Sequence, residues 1–249
     1  MNEDNPENLQ LEGRNAVLEA LRGGRAIDKL MVKTGEKEGS IRQLIAKARE
    51  AGIVVSESPK ERLDALSKTG RHQGVIAFCA AHEYGTVEDM LELAKSRGQE
   101  PFIIMLDGVA DPRNLGAIIR SAEAAGAHGC IVPKRRSAGI TELTVKASAG
   151  AVEYLPVARV GNLVHTIEDL KKRGIWVCGA AMDGQSLYDA PLEGPVALVV
   201  GGEGGGLGRL ITEKCDFTVA IPMKGRITSL NASVAAAVIM YEIARRRGG

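Results

Sequence analysis

The sequence predicts an α/β protein: a small α/β domain followed by a larger domain with a mostly parallel sheet covered by helices on both faces. Along the 249 residues, short apolar runs rich in Val, Ile and Leu alternate with longer amphipathic runs. Such alternation is typical of parallel strands joined by helices. A hydrophilic stretch ending in Arg97-Gly98-Gln99-Glu100-Pro101 separates two sets of these runs. We therefore predict a first domain over 1–80, a linker over 81–101 and a second domain over 102–249.

The first domain is predicted to begin with a frayed tail over residues 1–10 and then to alternate helix and strand. Helices are predicted over 15–21, 41–51 and 60–66, and strands over 29–33, 53–56 and 75–79. Gly52 suits the position just after a helix, where a left-handed backbone conformation is common. The pattern indicates a compact unit in which each helix covers a short sheet.

The predicted linker contains one short helix. Thr86 followed three residues later by Asp89 predicts a capping box that opens this helix, which continues through Ala94. In the second domain, strands are predicted over 102–106, 129–132, 175–179, 196–200 and 217–221, with helical stretches between them. Ligands of such sheets bind at the carboxyl ends of the strands, and the informative loops of this chain all follow strands.

Composition narrows the function classes. The net charge of +1 excludes a strongly basic protein but leaves room for a local basic surface. The four cysteines are far apart and form no CxxC pair, which predicts buried free thiols in a reducing cytoplasm rather than a zinc or other metal site. The acidic, polar start of the chain is unlike a signal peptide, and no apolar run approaches the length of a membrane span.

The first segment that carries chemistry runs from a strand through a loop into a helix over residues 106–120. Asn114 is predicted to cap the helix, and Leu115, Ile118 and Ile119 begin its apolar stripe. At about 100° per residue, Arg120 lies roughly 140° from Leu115 and so points away from the stripe. An arginine in this position is either solvated or binds a phosphate or a developing oxyanion.

The second segment is a glycine-rich run, Gly201-Gly202-Glu203-Gly204-Gly205-Gly206-Leu207-Gly208, directly after a buried strand. Glycines in such number indicate either a backbone that approaches a ligand closely or an unusual chain path. The run fits neither G-x-G-x-x-G nor the Gly-Lys-Ser/Thr ending of a P-loop, which disfavours both familiar kinds of nucleotide site. Glu203 is the only charged residue within it.

The third segment, residues 221–233, leads from the end of a strand to an alanine-rich helix predicted over 232–243. Ser229, Asn231 and Ser233 crowd the start of this helix, where unpaired N–H groups and a partial positive charge are available. Three small polar side chains exceed the needs of one N-cap. The small residues of the helix allow close packing, either within the core or at a dimer interface.

Two weaker features are basic loops. Lys134-Arg135-Arg136 follows a predicted strand and either contacts a phosphate backbone or forms an ordinary solvated loop. Arg71-His72-Gln73-Gly74 precedes the last strand of the first domain. His72 is there either a structural residue or a contact to substrate.

Together, the three segments resemble the SpoU (TrmH-like) family of RNA ribose 2′-O-methyltransferases, within the SPOUT superfamily. Asn114 and Arg120 match the first family motif, 200–204 the second, and 221–223 with 229–233 the third. The start at 13–17, the His72-Gln73-Gly74 element and the chain length are similar to a subgroup that methylates a guanosine of 23S rRNA. The resemblance implies a SPOUT-type fold with a deep trefoil knot, and a ribosomal-protein-like first domain that recognises RNA.

The resemblance further implies methyl transfer from S-adenosyl-L-methionine to a ribose 2′-hydroxyl of rRNA by a homodimer. The catalytic residues that it implies are Asn114, Arg120, Glu203, Ser229 and Asn231. The implied cofactor contacts are Val200, Gly201, Gly202, Ile221, Pro222, Met223, Ser229 and Leu230. The implied RNA contacts are Arg14, His72, Arg113, Lys134, Arg135 and Arg136.

A guanidinium is effectively always protonated, so we expect Arg120 to stabilise the forming alkoxide and a neighbouring phosphate rather than to remove the proton. Ser229 and Asn231 are expected to orient it, and Glu203 to anchor either the arginine or its own loop. Three alternatives stay open: a tRNA ribose 2′-O-methyltransferase, a homologue that binds RNA without catalysis, and a small-molecule α/β enzyme that uses the glycine run for a nucleotide.

Overall fold

The structure, a computed structural model, describes residues 9–35 and 39–248. The chain divides into two compact units. The first unit comprises Met1–Glu83 together with the short segment Gly139–Glu142. The second unit comprises Tyr84–Ala138 and Leu143–Gly249.

The first unit is a mixed sheet with helices. Its strands are β1 (Leu9–Glu12), β2 (Ile27–Lys33), β3 (Val54–Ser58) and β4 (Val75–Cys79), and its helices are α1 (Arg14–Arg22), α2 (Gly39–Glu50) and α3 (Lys60–Leu66). The strand order is β1-β4-β2-β3, with β4 antiparallel to both neighbours and β2 parallel to β3. Leu30 and Val32 of β2 pack in one core, whereas Met31 packs in another, as the two-residue period of a strand requires.

The predicted frayed tail differs from the structure at its end. Residues 1–8 lie outside the described residues, but Leu9 and Gln10 begin β1, and Leu9 pairs with Cys79 of β4. Leu9 and Leu11 pack against the core of this unit. The prediction was wrong for these two residues because a four-residue strand is too short to be recognised by its pattern alone.

The second unit is built around a six-stranded sheet. Its strands are β5 (Phe102–Asp107), β6 (Gly129–Pro133), β7 (Val157–Val160), β8 (Trp176–Ser186), β9 (Val196–Gly201) and β10 (Phe217–Ala220). Its helices are α4 (Val87–Ser96), α5 (Pro112–Ala124), α6 (Glu142–Ala147), α7 (Leu163–Lys172), α8 (Arg209–Lys214) and α9 (Ala232–Arg246). The strand order is β10-β8-β9-β5-β6-β7, and every neighbouring pair is parallel.

Helices cover both faces of this sheet. Met90 of α4, Ile167 of α7 and Ile211 of α8 share a core with Ile103 and Met105 of β5. The intervening residues of β5 face the opposite side, where α5 and α9 pack against each other and against β6 and β9. The predicted α/β class with a mostly parallel sheet is thereby confirmed. The trefoil knot stays a prediction from the family resemblance.

In the structure, residues 81–83 of the predicted linker belong to the first unit and residues 84–101 to the second. The capping box is present, since Thr86 Oγ1 accepts from the N–H of Asp89 and Asp89 Oδ2 accepts from the N–H of Thr86. The helix that it opens, α4, buries Met90 and Ala94 within the second unit.

Strand β7, with the sequence VARV, was not predicted, because four residues hold too little periodicity.

The cysteines are free thiols, three of them buried and Cys215 half-buried. Burial raises the pKa of Cys130 and of Cys178 to about 12. These two thiols are therefore protonated at neutral pH and poor nucleophiles.

Over residues 9–35 and 39–248, none of the helices combines the length and the apolar character needed to cross a bilayer.

Candidate active site

Three loops of the second unit begin where β5, β9 and β10 end. Strands β5 and β9 are direct neighbours, and Asp107 at the end of β5 pairs with Gly201 at the end of β9. Because the sheet is parallel, the carboxyl ends of its strands lie at one edge, where ligands of such sheets bind. The loop after β5 leads into α5, and the loop after β10 leads into α9.

Side chains from these three segments meet in one hydrogen-bonded cluster of Asn114, Glu203 and Asn231. Glu203 Oε1 accepts from Asn114 Nδ2 at 2.8 Å and from Asn231 Nδ2 at 2.8 Å. Asn231 Nδ2 also donates to Asn114 Oδ1 at 3.2 Å. The amide–carboxylate cluster therefore joins three of the five predicted catalytic residues, although 117 positions separate the two asparagines.

Asn114 occupies a different place in its helix than predicted. The N-cap of α5 is Asp111, whose side chain accepts from the N–H of Arg113 at 2.8 Å, and Pro112 opens the helix. The N-cap prediction for Asn114 was wrong because the Asp-Pro pair, a recognised helix start, supplies the cap earlier. Asn114 is instead in the first turn and only 8% exposed, which leaves its amide available to Glu203.

Asn231 is the N-cap of α9, and this position determines how its amide is oriented. Its Oδ1 accepts from the N–H groups of Ser233 and Val234 and from the hydroxyl of Ser233. An asparagine whose oxygen caps a helix must present its NH₂ group on the other side. That NH₂ group faces the carboxylate of Glu203. One residue thus caps a helix and binds the glycine-flanked carboxylate.

The glycines after β9 allow the chain to fold back on itself. We call residues 201–208 the glycine loop. Gly202 forms an antiparallel bridge with Gly206, so Glu203 lies in a tight turn. A Cβ on Gly201 would lie 2.2 Å from the backbone of Gly206, and one on Gly202 would lie 2.2 Å from the carbonyl oxygen of Gly108. Of the two causes considered for the glycine run, the unusual chain path is therefore present.

In the described part of the chain, Arg120 and Ser229 are not members of the amide–carboxylate cluster. Both residues are exposed, Arg120 on α5 and Ser229 in the loop before α9. Within the described part of the chain, neither is hydrogen-bonded to Asn114, Glu203 or Asn231. The expectation that Glu203 anchors Arg120 does not match this arrangement. The alternative expectation, that Glu203 anchors its own loop, does.

The predicted cofactor contacts lie at the end of β9 and in the segment that follows β10 along the chain. Val200 is buried, Gly201 and Gly202 are half-buried, and Pro222 is exposed. Beyond β10, Met223 and Leu230 are each 39% exposed, and Ile227 is 74% exposed. Such exposed apolar side chains beside polar backbone suit a ligand with a flat apolar part, so these residues fit a nucleoside-bearing cofactor. Among the described residues, no group of three His, Cys, Asp or Glu could hold a metal ion.

The predicted RNA contacts of the second unit lie at the same edge. Arg113 is exposed in the first turn of α5, and Arg135 and Arg136 are exposed in the loop that follows β6, just after Lys134. The N–H of Ala138 donates to the carbonyl of Val109 at 2.8 Å, which ties this basic loop to the loop after β5. Positive side chains thus lie on loops that follow strands of the same parallel sheet as the amide–carboxylate cluster.

In the first unit, His72 holds a loop together instead of facing solvent. It is 6% exposed, its Nδ1 accepts from the N–H of Gly74 at 3.0 Å, and its Nε2 lies 2.8 Å from Asp64 Oδ1. Since Nδ1 accepts, Nε2 carries the proton and donates to Asp64. The predicted contact of His72 with RNA does not fit this position. Arg14 is half-buried, and its Nε donates to the carbonyl of Gln73 at 3.1 Å.

Glu12, which no sequence pattern indicated, organises the loop beside His72. Its carboxylate accepts from the hydroxyl groups of Ser67 and Thr69 and from the N–H of Lys68. Partial burial alone would raise the pKa of Glu12, but these hydrogen bonds outweigh it and hold the pKa below its ordinary value. The loop is thereby held so that Lys68 and Arg71 are exposed.

Comparison with family models gives two matches. The SpoU rRNA Methylase family model matches residues 101–241. A second model, RNA 2′-O ribose methyltransferase substrate binding, matches residues 10–85. The two matched ranges follow the two units of the structure closely.

Several known proteins are similar to this chain over most of its length. The Bacillus subtilis protein YacO, which is named as a TrmH family tRNA/rRNA methyltransferase, is 46% identical over 237 residues, 94% of each chain. The crystal structure of the SpoU methyltransferase AviRb from Streptomyces viridochromogenes in complex with AdoMet has a TM-score of 0.60 at 27% identity, covering 98% of this chain and 92% of AviRb. The TrmH/SpoU tRNA modifying enzyme of A. aeolicus has a TM-score of 0.56 at 26% identity, covering 65% of this chain and 85% of that one.

Proposed function

The chain belongs to the SpoU rRNA Methylase family of RNA methyltransferases, and from this premise we propose that it transfers the methyl group of S-adenosylmethionine to a ribose 2′-hydroxyl of a guanosine in 23S rRNA. The observation that carries the proposal is the amide–carboxylate cluster, which joins residues of all three family motifs at the carboxyl edge of the sheet. The solved relative AviRb contains AdoMet, which supports the choice of methyl donor.

S-adenosylmethionine supplies a methyl group bound to a positively charged sulfur, which a hydroxyl oxygen can attack. For this chemistry the protein contributes apolar walls at Met223 and Leu230 and backbone groups around Gly201. Because the methyl donor loses its charge as the reaction proceeds, shape and neutral contacts suit it better than a carboxylate would. The carboxylate of Glu203 accepts hydrogen bonds from two amides, and we assign it no contact with the methyl donor.

As the ribose oxygen bonds to the methyl carbon, the carbon–sulfur bond breaks to leave a neutral thioether and the hydroxyl proton passes to solvent. Arg120 is proposed to stabilise the negative charge that develops on the oxygen. Its side chain is exposed on α5, the helix whose first turn carries Asn114. A guanidinium can bind an alkoxide and a neighbouring phosphate oxygen at the same time. The amide–carboxylate cluster holds the start of α5, the glycine loop and the start of α9 in one arrangement, which keeps the surroundings of Arg120 preorganised.

RNA is proposed to contact both units through basic residues that are exposed or half-buried. In the second unit these are Arg113 in the first turn of α5 and Lys134, Arg135 and Arg136 in the loop after β6. In the first unit, Arg14, Lys68 and Arg71 surround the loop that Glu12 and His72 hold. The match of residues 10–85 to a substrate-binding model supports RNA recognition by this unit. RNA loops with splayed bases suit recognition by such shaped, locally basic surfaces.

Replacing Arg71 by glutamine is expected to weaken RNA binding by a few fold and to lower the salt dependence of binding by about one unit of slope, because one phosphate contact is lost. Arg49→Gln, at an exposed position near the end of α2, is the matched control and is expected to change neither quantity. Filter binding of an rRNA fragment over a range of salt concentrations measures both. An unchanged slope for Arg71→Gln would contradict a role for this loop.

The protein is proposed to act as a homodimer that associates through α9. Val234, Val238 and Tyr241 are 48%, 37% and 54% exposed, and their spacing of four and three residues places them on one side of the helix. A stripe of exposed apolar residues on a helix indicates an interaction surface. Small residues between them allow another helix to approach closely.

The dimer is tested by Val238→Asp, which places a charge in the apolar stripe and is expected to convert the protein to a monomer at micromolar concentration. Sedimentation velocity measures the change directly. Leu210→Asp alters a residue that is also apolar and 54% exposed but lies on α8, so this variant is expected to stay dimeric. A dimeric Val238→Asp protein would exclude α9 as the interface.

The activity is tested by incubating the protein with methyl-labelled S-adenosylmethionine and either 23S rRNA or tRNA, and by mapping the 2′-O-methylated nucleotide. Label in a guanosine of 23S rRNA is the expected result. The tRNA alternative is favoured by the similarity to a TrmH/SpoU tRNA modifying enzyme. That similarity covers 65% of this chain, so we assign the choice of rRNA to the first unit. Label in tRNA alone would reverse the assignment.

A further inference from the structure

Asp107, the last residue of β5, is hydrogen-bonded to both ends of the glycine loop. Its main-chain carbonyl accepts from the N–H of Gly202 at 2.8 Å. Its side-chain Oδ2 accepts from the N–H of Gly208 at 2.7 Å. A Cβ on Gly208 would lie 3.1 Å from the same Oδ2, so the backbone approaches the carboxylate closely. Asp107, on the neighbouring strand, therefore binds the loop at two points: where the chain leaves β9 and where it enters α8.

The loop between these two anchor points consists mostly of exposed glycines. Residues 203–206 are exposed, and Gly204 and Gly206 adopt positive φ values of 80° and 60°. Glycines lose more conformational freedom on ordering than any other residue, so a loop rich in them needs external contacts to keep one shape. Among the described residues, those contacts include the bridge between Gly202 and Gly206, the packing of Leu207 against the core of the second unit, the hydrogen bonds to Asp107 and those of the Glu203 carboxylate.

We infer that Asp107 is a positioning residue for Glu203: by holding both ends of the glycine loop, it determines where the Glu203 carboxylate meets the amides of Asn114 and Asn231. This inference rests on the proposed function, since Glu203 matters for methyl transfer only if the site works as proposed. Asp107 acts through the loop and is assigned no contact with the methyl donor or with RNA. Its main-chain bond persists in any variant, so the side chain supplies the part that mutation can remove.

The test compares Asp107→Ala, which removes the acceptor of the Gly208 N–H, with Asp107→Asn, whose side-chain oxygen can still accept it. Hydrogen-exchange mass spectrometry of the peptide covering residues 201–208 is expected to show exchange about tenfold faster in the alanine variant, the usual effect of losing a hydrogen bond to a charged group. The asparagine variant is expected to stay within about threefold of the unmodified protein, because a neutral acceptor is weaker but present.

Turnover supplies the second measurement. At saturating S-adenosylmethionine and RNA, kcat is expected to fall about tenfold in Asp107→Ala and to recover in Asp107→Asn. Asp189→Ala, at an exposed position in the turn that follows β8, is the control and is expected to match the unmodified protein in both measurements. Unchanged exchange in the alanine variant overturns the inference, and so does an asparagine variant that behaves like alanine.

The two arms separate this inference from the proposed function. An unmodified protein that methylates no RNA would defeat the proposed function, while the exchange measurement would still decide whether Asp107 holds the loop. Faster exchange in Asp107→Ala together with an unchanged kcat would show that the loop needs no such support for catalysis, which also overturns the inference.

Discussion

Replacing Arg120 by alanine is expected to lower kcat for methyl transfer by about 10²–10³-fold, the usual effect of removing one group that stabilises charge in the transition state. The affinity for S-adenosylmethionine is expected to stay the same. Arg120 is exposed, and in the described part of the chain it takes no part in the amide–carboxylate cluster, so the fold should tolerate its loss. Single-turnover transfer with saturating donor measures the chemical step separately from binding.

A lysine at position 120 distinguishes charge from geometry. Arg120→Lys keeps the positive charge but loses the planar, two-pronged donor that can bind an alkoxide and a phosphate together. We expect it to recover only a small part of the activity lost in Arg120→Ala. Near-normal turnover of the lysine variant would count against bidentate positioning. Arg97→Ala, at the exposed end of α4, controls for the loss of one positive charge and is expected to be fully active.

Replacing Glu203 by alanine is expected to reduce activity by about 10²-fold, as the loss of a group that holds a catalytic site in place commonly does. The reason is that one carboxylate oxygen accepts from two amides that belong to different helices. Without it, Asn114 Nδ2 loses the acceptor that Glu203 provides, and Asn114 is only 8% exposed. Glu203→Gln keeps an acceptor oxygen but not the charge, so it is expected to retain more activity than alanine.

The coupling within the cluster can be measured directly. A double-mutant cycle combining Glu203→Ala with Asn114→Ala in chemical unfolding is expected to give an interaction free energy of about 1 kcal/mol or more, as residues in direct contact do. Glu213→Ala, which removes a half-exposed partner of Arg209 on α8, is the control and is expected to be additive with Asn114→Ala. Additive effects of Glu203→Ala and Asn114→Ala would contradict the hydrogen-bonded cluster.

Much of the site was predictable from its residues one segment at a time. Asn231 was expected at the start of its helix and is the N-cap, because capping is a local property of a few neighbouring residues. Glu203 was singled out as the one charge among glycines, and it is the centre of the cluster. Asn114 was predicted as a site residue and is part of the cluster, although its expected place in the helix was wrong by three positions.

Asp107 and Glu12 were not indicated by any sequence pattern. Asp107 and Glu12 hold loops by hydrogen bonds to backbone N–H groups that lie 101 and about 56 positions away. A carboxylate at the end of a strand is common, and nothing near it in the sequence says which distant N–H it will meet. His72 illustrates the reverse case, since a histidine between arginine and glutamine suggested a contact to RNA but is buried against Asp64.

The sequence by itself determined the α/β class, the order of most strands and helices, and the residue types gathered at three strand ends. These follow from periodicity and capping, which act over a few residues. Only the tertiary structure decided that Glu203 lies between two asparagines, because that meeting requires β9 to pair with β5 and α9 to pack against α5. Strand pairing and helix packing between distant segments depend on the whole core, which no local pattern encodes.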